Sequence, residues 1–253
     1  MNLLAFDTST ERVSAAVQRG DACWRYDGAG GPRASATLIP ALLDLLTQAG
    51  LALTNLDALV FGRGPGSFTG LRTACAVAQG LGFGAMLPVL PVDTLLAVAE
   101  DARRKAALAA PTGVLALLDA RMDQVYAAAC VWNDGAWQTV GGMTVCAPES
   151  LALPASGGHD SASDSAHPAN WVLAGNIFSS AAGYGERLPP PLRALPRIDA
   201  MPTADALLAL TPPLLAQGLA VAAQDALPLY IRDKVALTTN ERRAAQMERP
   251  SPP

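Results

Sequence analysis

Histidine is scarce in this sequence: His159 and His167 are the only two in 253 residues, and both lie in a stretch of small and polar residues. That stretch predicts a solvated loop, and the spacing of the pair is not that of two metal ligands on one helix. A Ser-His-Asp or Cys-His site anchored in the core is not expected with so few imidazoles. The sequence therefore predicts neither a catalytic constellation nor a metal site.

Cysteine pairs and long apolar runs are lacking as well. The four cysteines (Cys23, Cys75, Cys130 and Cys146) form no Cys-x-x-Cys pair and lie among apolar residues, which predicts reduced, buried thiols and a cytoplasmic location. No stretch approaches the roughly 18–20 apolar residues of a membrane span, and the run Leu3–Phe6 is too short for a signal peptide. We therefore expect no contact with a membrane.

An excess of positive charge is also missing, since the formal net charge is −4 and the isoelectric point is about 5.1. The chain has no broad basic field for an RNA backbone, so contact with RNA would have to be local or made through a partner. Hydrophobic residues make up 51% of the chain and charged residues 16%, which indicates a globular protein with a full core. The length suits one large domain or two lobes of roughly 100–130 residues.

The most informative feature of the sequence is an internal repeat. Leu3–Val17 and Leu115–Ala129 each read as an apolar run ending in Asp, a polar turn, and a second run of small and apolar residues. Asp7 in the first copy corresponds to Asp119 in the second, and the offset of 112 residues holds throughout. Each copy predicts a β-hairpin, and together they predict two copies of one lobe. Chance similarity between two short hairpins is the alternative.

Helical and strand patterns alternate along the rest of the chain, which predicts an α/β fold with partly parallel strand pairing. The predicted helices are Ser35–Ala49, 67–85, 93–105 and Thr203–Leu210, and the predicted strands are Ala58–Gly62, Val89–Val92, Trp137–Cys146 and Trp171–Gly175. Residues 154–170 are small and polar and predict an exposed, mobile insertion, and residues 231–253 predict a partly disordered C-terminal segment.

The glycine-rich loop Gly62–Gly70 (GRGPGSFTG) lies between a predicted strand and a predicted helix. There, backbone N–H groups and the helix N-terminus could face an anion, with Gly64, Gly66 and Ser67 as candidate phosphate-binding residues. The loop lacks the Lys of a phosphate-binding P-loop and the spacing of a dinucleotide fingerprint. A rigid turn with Ser67 as the helix N-cap is the alternative.

A second candidate phosphate-binding turn follows the first predicted strand and consists of Asp7, Thr8, Ser9 and Thr10. Its carboxylate and hydroxyls could hold a phosphate or a metal-bound water, or could bond their own backbone instead. The corresponding turn, Asp119–Asp123, has neither glycines nor hydroxyls, so a two-sided phosphate clamp is incomplete. We expect nucleotide binding by the chain alone to be weak or absent.

The predicted helix over 67–85 is apolar almost all round and rich in small residues. A helix at the surface should show a polar half. This one is therefore either buried within its lobe, or packed on the core with one face and on a partner chain with another. Ser35–Ala49 has a similarly broad apolar stripe.

Four segments resemble the TsaB family, in the order in which that family has them. They are Leu3–Val17 (LLAFDTSTERVSAAV), Gly62–Arg72 (GRGPGSFTGLR), Leu117–Tyr126 (LLDARMDQVY) and Pro228–Arg242 (PLYIRDKVALTTNER). The resemblance covers most of the chain and thins out over about 140–225, and residues 154–170 depart from a typical member. The glycine-rich run is highly specific, but it also occurs in the related catalytic subunit TsaD, which carries a paired-histidine metal site that this chain lacks.

The resemblance implies an α/β, actin-like and Hsp70-like ATPase fold with two duplicated lobes, each a mixed sheet flanked by helices. It divides the chain into an N-terminal lobe (1–106), a C-terminal lobe (107–230) and a C-terminal segment (231–253). It implies a non-catalytic scaffold that binds TsaD and, with the ATPase TsaE, supports threonylcarbamoyl transfer to adenosine 37 of tRNAs that read ANN codons.

The resemblance also implies what this scaffold binds. It would form a homodimer in isolation, meet tRNA only through the complex, and need no cofactor beyond weak binding of ATP or ADP. In the family, the two first-lobe helices make the contact with TsaD or with a second copy. On the matching helices, the predicted interface residues are Leu38, Leu42, Leu45, Leu71, Cys75, Ala78 and Gly82.

Two other functional classes remain open. A glycoprotease-like peptidase would need a metal site, for which the chain has no credible ligands. An independent ATPase or small-molecule kinase of the same fold would need a second phosphate loop and an adenosine-binding Gly-Gly segment. Asp119–Asp123 and Ala174–Asn176 do not supply these convincingly.

Overall fold

The computed structural model describes residues 1–154, 168 and 170–232. Most of the predicted insertion, including both histidines, and the predicted C-terminal segment from residue 233 onward lie outside the described residues. The described strands are β1 (Asn2–Asp7), β2 (Arg12–Arg19), β3 (Ala22–Ala29), β4 (Ala58–Gly64), β5 (Val89–Asp93), β6 (Thr112–Arg121), β7 (Gln124–Asn133), β8 (Ala136–Cys146), β9 (Trp171–Gly175) and β10 (Arg197–Ile198). The described helices are α1 (Ala34–Ala49), α2 (Phe68–Ala85), α3 (Thr94–Ala106), α4 (Tyr184–Arg187), α5 (Pro190–Arg193) and α6 (Ala204–Ala216).

The strands form two five-stranded sheets with the same strand order, and each sheet defines a lobe. The order is β3-β2-β1-β4-β5 in the first lobe and β8-β7-β6-β9-β10 in the second. In both lobes the first three strands pair antiparallel and the last two join in parallel. Because β2 begins at residue 12 and β7 at residue 124, the predicted offset of 112 is a duplication of the fold. The prediction of two mixed sheets flanked by helices is confirmed.

The duplication extends to the hydrogen bonds of the hairpin turns. After β1, Asp7 Oδ1 accepts a bond of 2.8 Å from the backbone N–H of Ser9. In the β6–β7 turn, Asp119 Oδ1 accepts a bond of 2.7 Å from the backbone N–H of Arg121. Each aspartate thus closes its own turn by bonding two residues ahead, as Asp side chains do in Asx-turns.

Helices cover both faces of the first sheet. Leu3, Leu4, Ala5 and Phe6 are all 0% exposed, as expected for a strand that runs between two helical layers. α1 and α2 pack on one face, and α6 packs on the other against β1 and β4. α3 packs mainly on the second sheet and also against α6, so these two helices join the lobes. The chain therefore returns to the first lobe after the second sheet.

The predicted helices of the first half agree with α1, α2 and α3 to within two residues at either end. The helix predicted at Thr203–Leu210 is longer in the structure and continues through Pro212 and Pro213 to Ala216. Its Leu207, Leu208 and Leu210 are buried against the first sheet, so tertiary packing outweighs the two missing N–H groups. None of the helices in the described part of the chain is long and apolar enough to cross a membrane. All four cysteines are free; Cys75 and Cys130 are buried as predicted, whereas Cys23 and Cys146 are only half-buried.

Candidate functional site

A cleft of about 540 Å³ lies between the two lobes. The first lobe contributes the β1–β2 turn and residues Pro65–Phe68 of the glycine-rich loop, and the second lobe contributes the β6–β7 turn. The C-terminal residues Leu229–Arg232 complete the lining. Both candidate loops therefore meet at one cleft, and the duplicated turns face each other across it.

Asp7 lies beside this cleft but does not open onto it. Its side chain is 1% exposed, and Oδ1 accepts bonds from the backbone N–H of Ser9 and from Ser9 Oγ at 2.7 Å. Oδ2 is buried without a hydrogen-bond partner and rests against Gly62, where any Cβ would overlap it. Burial raises the pKa of Asp7 to about 6, although both bonds from Ser9 act in the opposite direction.

The hydroxyls of the same turn are engaged within the chain. Thr8 is fully buried, and its Oγ1 donates a bond of 2.7 Å to the carbonyl of Gly70. Thr10 Oγ1 accepts a bond of 3.2 Å from the backbone N–H of Arg12. Of the four residues predicted here, Ser9 and Thr10 line the cleft, whereas Asp7 and Thr8 do not.

The glycine-rich loop is packed directly on that turn through its backbone. The N–H of Ser67 donates to the carbonyl of Ser9 at 2.7 Å, so this group is already bonded. A Cβ at Gly66 or at Gly70 would collide with the backbone of Ser9 or of Thr8. Gly64 has a φ of +121°, which side-chain-bearing residues rarely adopt. These contacts support the rigid-turn interpretation, and phosphate binding by the loop stays a prediction.

Ser67 occupies the N-cap position of α2, as predicted, but its hydroxyl makes no capping bond. Ser67 is one of the residues that line the cleft, together with Ser9 and Thr10 of the other first-lobe loop.

The second-lobe turn receives hydroxyls from a distant part of the chain. Asp119 accepts bonds from Tyr184 Oη at 3.3 Å and Ser180 Oγ at 3.5 Å. Arg187 pairs with Asp123 in the turn and with Glu149, which fixes the turn to the body of the lobe. Sequence reasoning missed Ser180 and Tyr184 because both lie more than 60 positions from Asp119 and form no local pattern with it.

The residues predicted to meet a partner chain lie on the inner faces of α1 and α2. All seven are buried in the first lobe itself: Leu38, Leu42, Leu45, Leu71, Cys75, Ala78 and Gly82. Most of them belong to the core between these helices and the first sheet. They are not available to a partner in this structure, because the stripe at helical spacing is the one that packs on the lobe's own sheet.

The outer faces of the same helices carry a different set of apolar residues. Ile39 and Leu43 on α1 are 42% and 47% exposed, and Phe83 on α2 and Met86 directly after it are 76% and 92% exposed. Exposed Ala76, Gly80 and Gly84 form a row of small residues on α2, and a Cβ at either glycine would meet open space. We call this surface the outer face; its residues are Ile39, Leu43, Ala76, Gly80, Phe83, Gly84 and Met86.

Within residues 1–154 and 170–232, no three His, Cys, Asp or Glu side chains lie together as a metal site would need. Both histidines are outside these ranges. The expected lack of a metal site therefore stays a prediction for the whole chain.

Comparisons with known proteins agree on the family. The family model described as "TsaD: tRNA N6-adenosine threonylcarbamoyltransferase" matches residues 32–239. The tRNA threonylcarbamoyladenosine biosynthesis protein TsaB of Escherichia coli is 33% identical over 237 residues, which cover 93% of this chain and 96% of the relative. The protein of the same name from Haemophilus influenzae is 39% identical over 158 residues, or 59% of this chain and 65% of the relative.

A solved structure matches the fold over nearly the whole chain. YeaZ from Pseudomonas aeruginosa has a TM-score of 0.77 and 37% identity, and the match covers 91% of this chain and 99% of that one. This likeness and the two duplicated mixed sheets confirm the predicted α/β, actin-like ATPase fold. Since the Escherichia coli relative named TsaB is 33% identical over 93% of this chain, the chain belongs to the TsaB family.

Proposed function

We propose that this protein is a non-catalytic scaffold subunit in the biosynthesis of tRNA threonylcarbamoyladenosine, and that it binds TsaD through the outer face of α1 and α2. In this proposal TsaE joins the complex, and tRNA is contacted through the complex rather than by this chain alone. The observation that carries the proposal is the exposure of Ile39 and Leu43 on α1 and of Phe83 and Met86 at the end of α2.

The outer face has the properties of a helix-mediated interface. A contiguous exposed apolar patch on a soluble domain marks a site of protein interaction. Gly80 and Gly84 leave the backbone of α2 uncovered, so a partner helix could approach closely there. In the second lobe, the connection that corresponds to α2 lies between β9 and β10 and contains α4 and α5, which have four residues each.

The same face explains the predicted homodimer. A two-fold interface uses one patch on both subunits, so a self-complementary apolar face can bind a second copy. TsaD, whose family model matches 32–239 of this chain, would carry the same helix pair and could replace that copy. The homodimer and the complex with TsaD would then be mutually exclusive.

The geometry of the cleft supports a non-catalytic role. Asp7, the carboxylate of the first candidate turn, is buried and lies against Gly62, and the Thr8 hydroxyl donates its hydrogen bond to the carbonyl of Gly70. A group that is to hold a metal-bound phosphate needs to reach the ligand. Weak ATP or ADP binding is the second candidate function, and the size of the cleft, about 540 Å³, favours it.

A single substitution on the outer face tests the proposal. Gly80→Arg adds a long charged side chain where the structure has open space, so the lobe should stay folded. At a close interface the same side chain has no room, and burying its unpaired charge costs several kcal/mol. A loss of about 4 kcal/mol weakens an association roughly a thousandfold. We expect Gly80→Arg to abolish both the complex with TsaD and the support of tRNA modification.

Two matched variants separate the interface from general effects. Gly80→Ala changes the same position by one methyl group and should weaken partner binding far less than Gly80→Arg does. Gly142→Arg introduces the same charge at an exposed, open glycine of β8 in the second lobe and should also retain it. Size-exclusion chromatography with purified TsaD and a reconstituted modification assay give the readout. A folded Gly80→Arg variant that binds TsaD as tightly as Gly142→Arg does would refute the outer face as the contact.

A further inference from the structure

The residues that end the described chain connect the two lobes across the cleft. They run from Ala226 to Arg232, and we call them the strap. Ala226 is 0% exposed within the first-lobe core, and its carbonyl accepts bonds from Gln79 Nε2 at 2.8 Å and Cys75 Sγ at 3.2 Å. The strap thus begins as a buried part of the first lobe, anchored on α2.

Its middle is attached to the glycine-rich segment. The N–H of Leu229 donates a bond of 2.7 Å to the carbonyl of Arg63. The carbonyl of Leu229 lies against Gly64, so closely that a Cβ there would collide with it. A glycine is therefore needed at position 64 for two reasons. It leaves room for the carbonyl of Leu229, and it allows the positive φ of its own backbone.

An aromatic contact holds the strap at the mouth of the cleft. The ring of Tyr230 lies 5.4 Å from that of Phe68, and Arg72 Nε donates to Tyr230 Oη at 3.3 Å. The Arg72 guanidinium also lies 3.9 Å from the centre of the Phe68 ring. Stacking and cation–π contacts of this kind each stabilise by roughly 0.5–1.5 kcal/mol in other proteins.

The end of the strap belongs to the second lobe. Ile231 packs against the core of the second sheet. Arg232 Nη2 donates a bond of 2.7 Å to Gln124 Oε1, and it lies 3.4 Å from the carbonyl of Arg121. The guanidinium also lies 6.0 Å from the ring of Tyr126. Arg232 thus contacts Arg121 and Gln124, which flank the β6–β7 turn. These two residues lie across the cleft from the attachment of Leu229.

From these contacts we propose that residues 226–232 lock the two lobes at this separation and close the mouth of the cleft with the chain's own residues. Six extended residue steps span at most about 20 Å, which limits how far the two attachments of the strap can separate. Because its first residue is buried in one lobe and its last two are fixed to the other, the lobes cannot move apart while both attachments hold. Any ligand of the cleft would have to share it with the strap or displace it.

Distance measurements between the lobes test the strap in the full-length chain. Spin labels at Glu11→Cys and Ala182→Cys, two exposed positions on opposite lobes, report the lobe separation by pulsed electron resonance. Cys23→Ser and Cys146→Ser remove the two half-buried thiols, and the buried ones remain unlabelled. We expect a single narrow distance peak, which Arg232→Ala replaces with a broad distribution that extends to longer distances.

Two further variants make the test decisive. Gln124→Ala removes the acceptor on the other side of the contact and should broaden the distribution in the same way. Arg197→Ala breaks an ion pair with Glu186 that stays within the second lobe and away from the β6–β7 turn, and it should leave the peak narrow. Circular dichroism establishes which variants are folded, and Gln124→Ala provides the test if Arg232→Ala does not fold. An unchanged peak in the folded variants, or equal broadening in Arg197→Ala, overturns the proposal.

Discussion

The buried carboxyl of Asp7 leads to a prediction about stability and pH. Its Oδ2 has no hydrogen-bond partner, and its pKa is raised by burial from 3.8 to about 6. Holding the carboxylate ionised in the folded protein therefore costs free energy that the unfolded chain does not incur. Each unit of pKa difference corresponds to about 1.4 kcal/mol, so the cost at neutral pH is roughly 3 kcal/mol.

The sign of the pH dependence follows from the direction of this shift. Below pH 3.8 the carboxyl is protonated in both states, and the fold incurs no cost from ionisation. As the pH rises from there to about 6, the unfolded chain ionises while folded Asp7 keeps its proton. The folded state thus loses relative stability across this window, and the loss is complete above it.

Asp7→Asn removes the titration and should remove this part of the pH dependence. The amide nitrogen that replaces Oδ2 would be buried beside Gly62 without an acceptor, which costs about 1–3 kcal/mol at every pH. The absolute change in stability is therefore small at neutral pH, and the informative quantity is the difference between the two proteins as a function of pH. Relative to the wild type, the free energy of unfolding of Asp7→Asn should increase by roughly 2–3 kcal/mol between pH 4 and pH 7.5.

Urea denaturation at a series of pH values measures this difference directly. Subtracting the wild-type free energy of unfolding from that of the variant cancels every other titrating group that the substitution leaves unchanged. If this difference in the free energy of unfolding does not change with pH, the Asp7 carboxylate is not destabilised by burial. A difference that shifts towards the wild type at higher pH would show that the ionised carboxylate has a favourable partner, and would refute the reasoning about the cleft.

Three further predictions concern neighbouring features. Ala78→Arg should unfold the first lobe, because Ala78 is 0% exposed and burying an unpaired charge costs several kcal/mol; a loss of the thermal transition would show this, and a folded variant would contradict it. Gly70→Ala should destabilise the protein, because its Cβ would overlap the carbonyl of Thr8. Gly80→Ala should stabilise it by up to about 1 kcal/mol, because alanine favours the helix and the position is open. Thermal melts of the two variants test both expectations. Calorimetric titration with ATP and magnesium should give no low-micromolar one-to-one isotherm, and such an isotherm, lost in a Thr8→Ala, Thr10→Ala double variant, would overturn the expectation of weak binding.

The architecture could be predicted because it is encoded by local patterns that occur twice. The apolar run, aspartate and polar turn of Leu3–Val17 recur in Leu115–Ala129. A strand–turn–strand pattern of that length predicts a β-hairpin. The alternation of strands with helices then requires a partly parallel sheet in each lobe. By contrast, the end of α6 was misplaced because prolines signal a stop locally, while burial against the first sheet decides the outcome.

The cleft itself could not be assembled from the sequence. Its lining combines the β1–β2 turn, the β6–β7 turn and the strap, which are more than 100 positions apart. Arg232 illustrates the difficulty, since a single arginine near a charged C-terminal segment carries no local signal of a contact with Gln124. Such contacts depend on how the two lobes are joined, which periodicity within one element does not encode.

The faces of α1 and α2 show a different limit of sequence reasoning. A helix that packs on a sheet and also binds a partner has two apolar faces, and a periodic stripe identifies only the more regular of them. Leu38, Leu42 and Leu45 form that regular stripe, and they are needed for the core. The residues left for a partner are the ones that break the expected polar pattern of an exposed face: bulky Phe83 and Met86, and glycines with nothing around them. Exposed glycines lower helix stability by up to about 1 kcal/mol each, so the folding of this chain does not account for Gly80 and Gly84, whereas the proposed contact with another chain would.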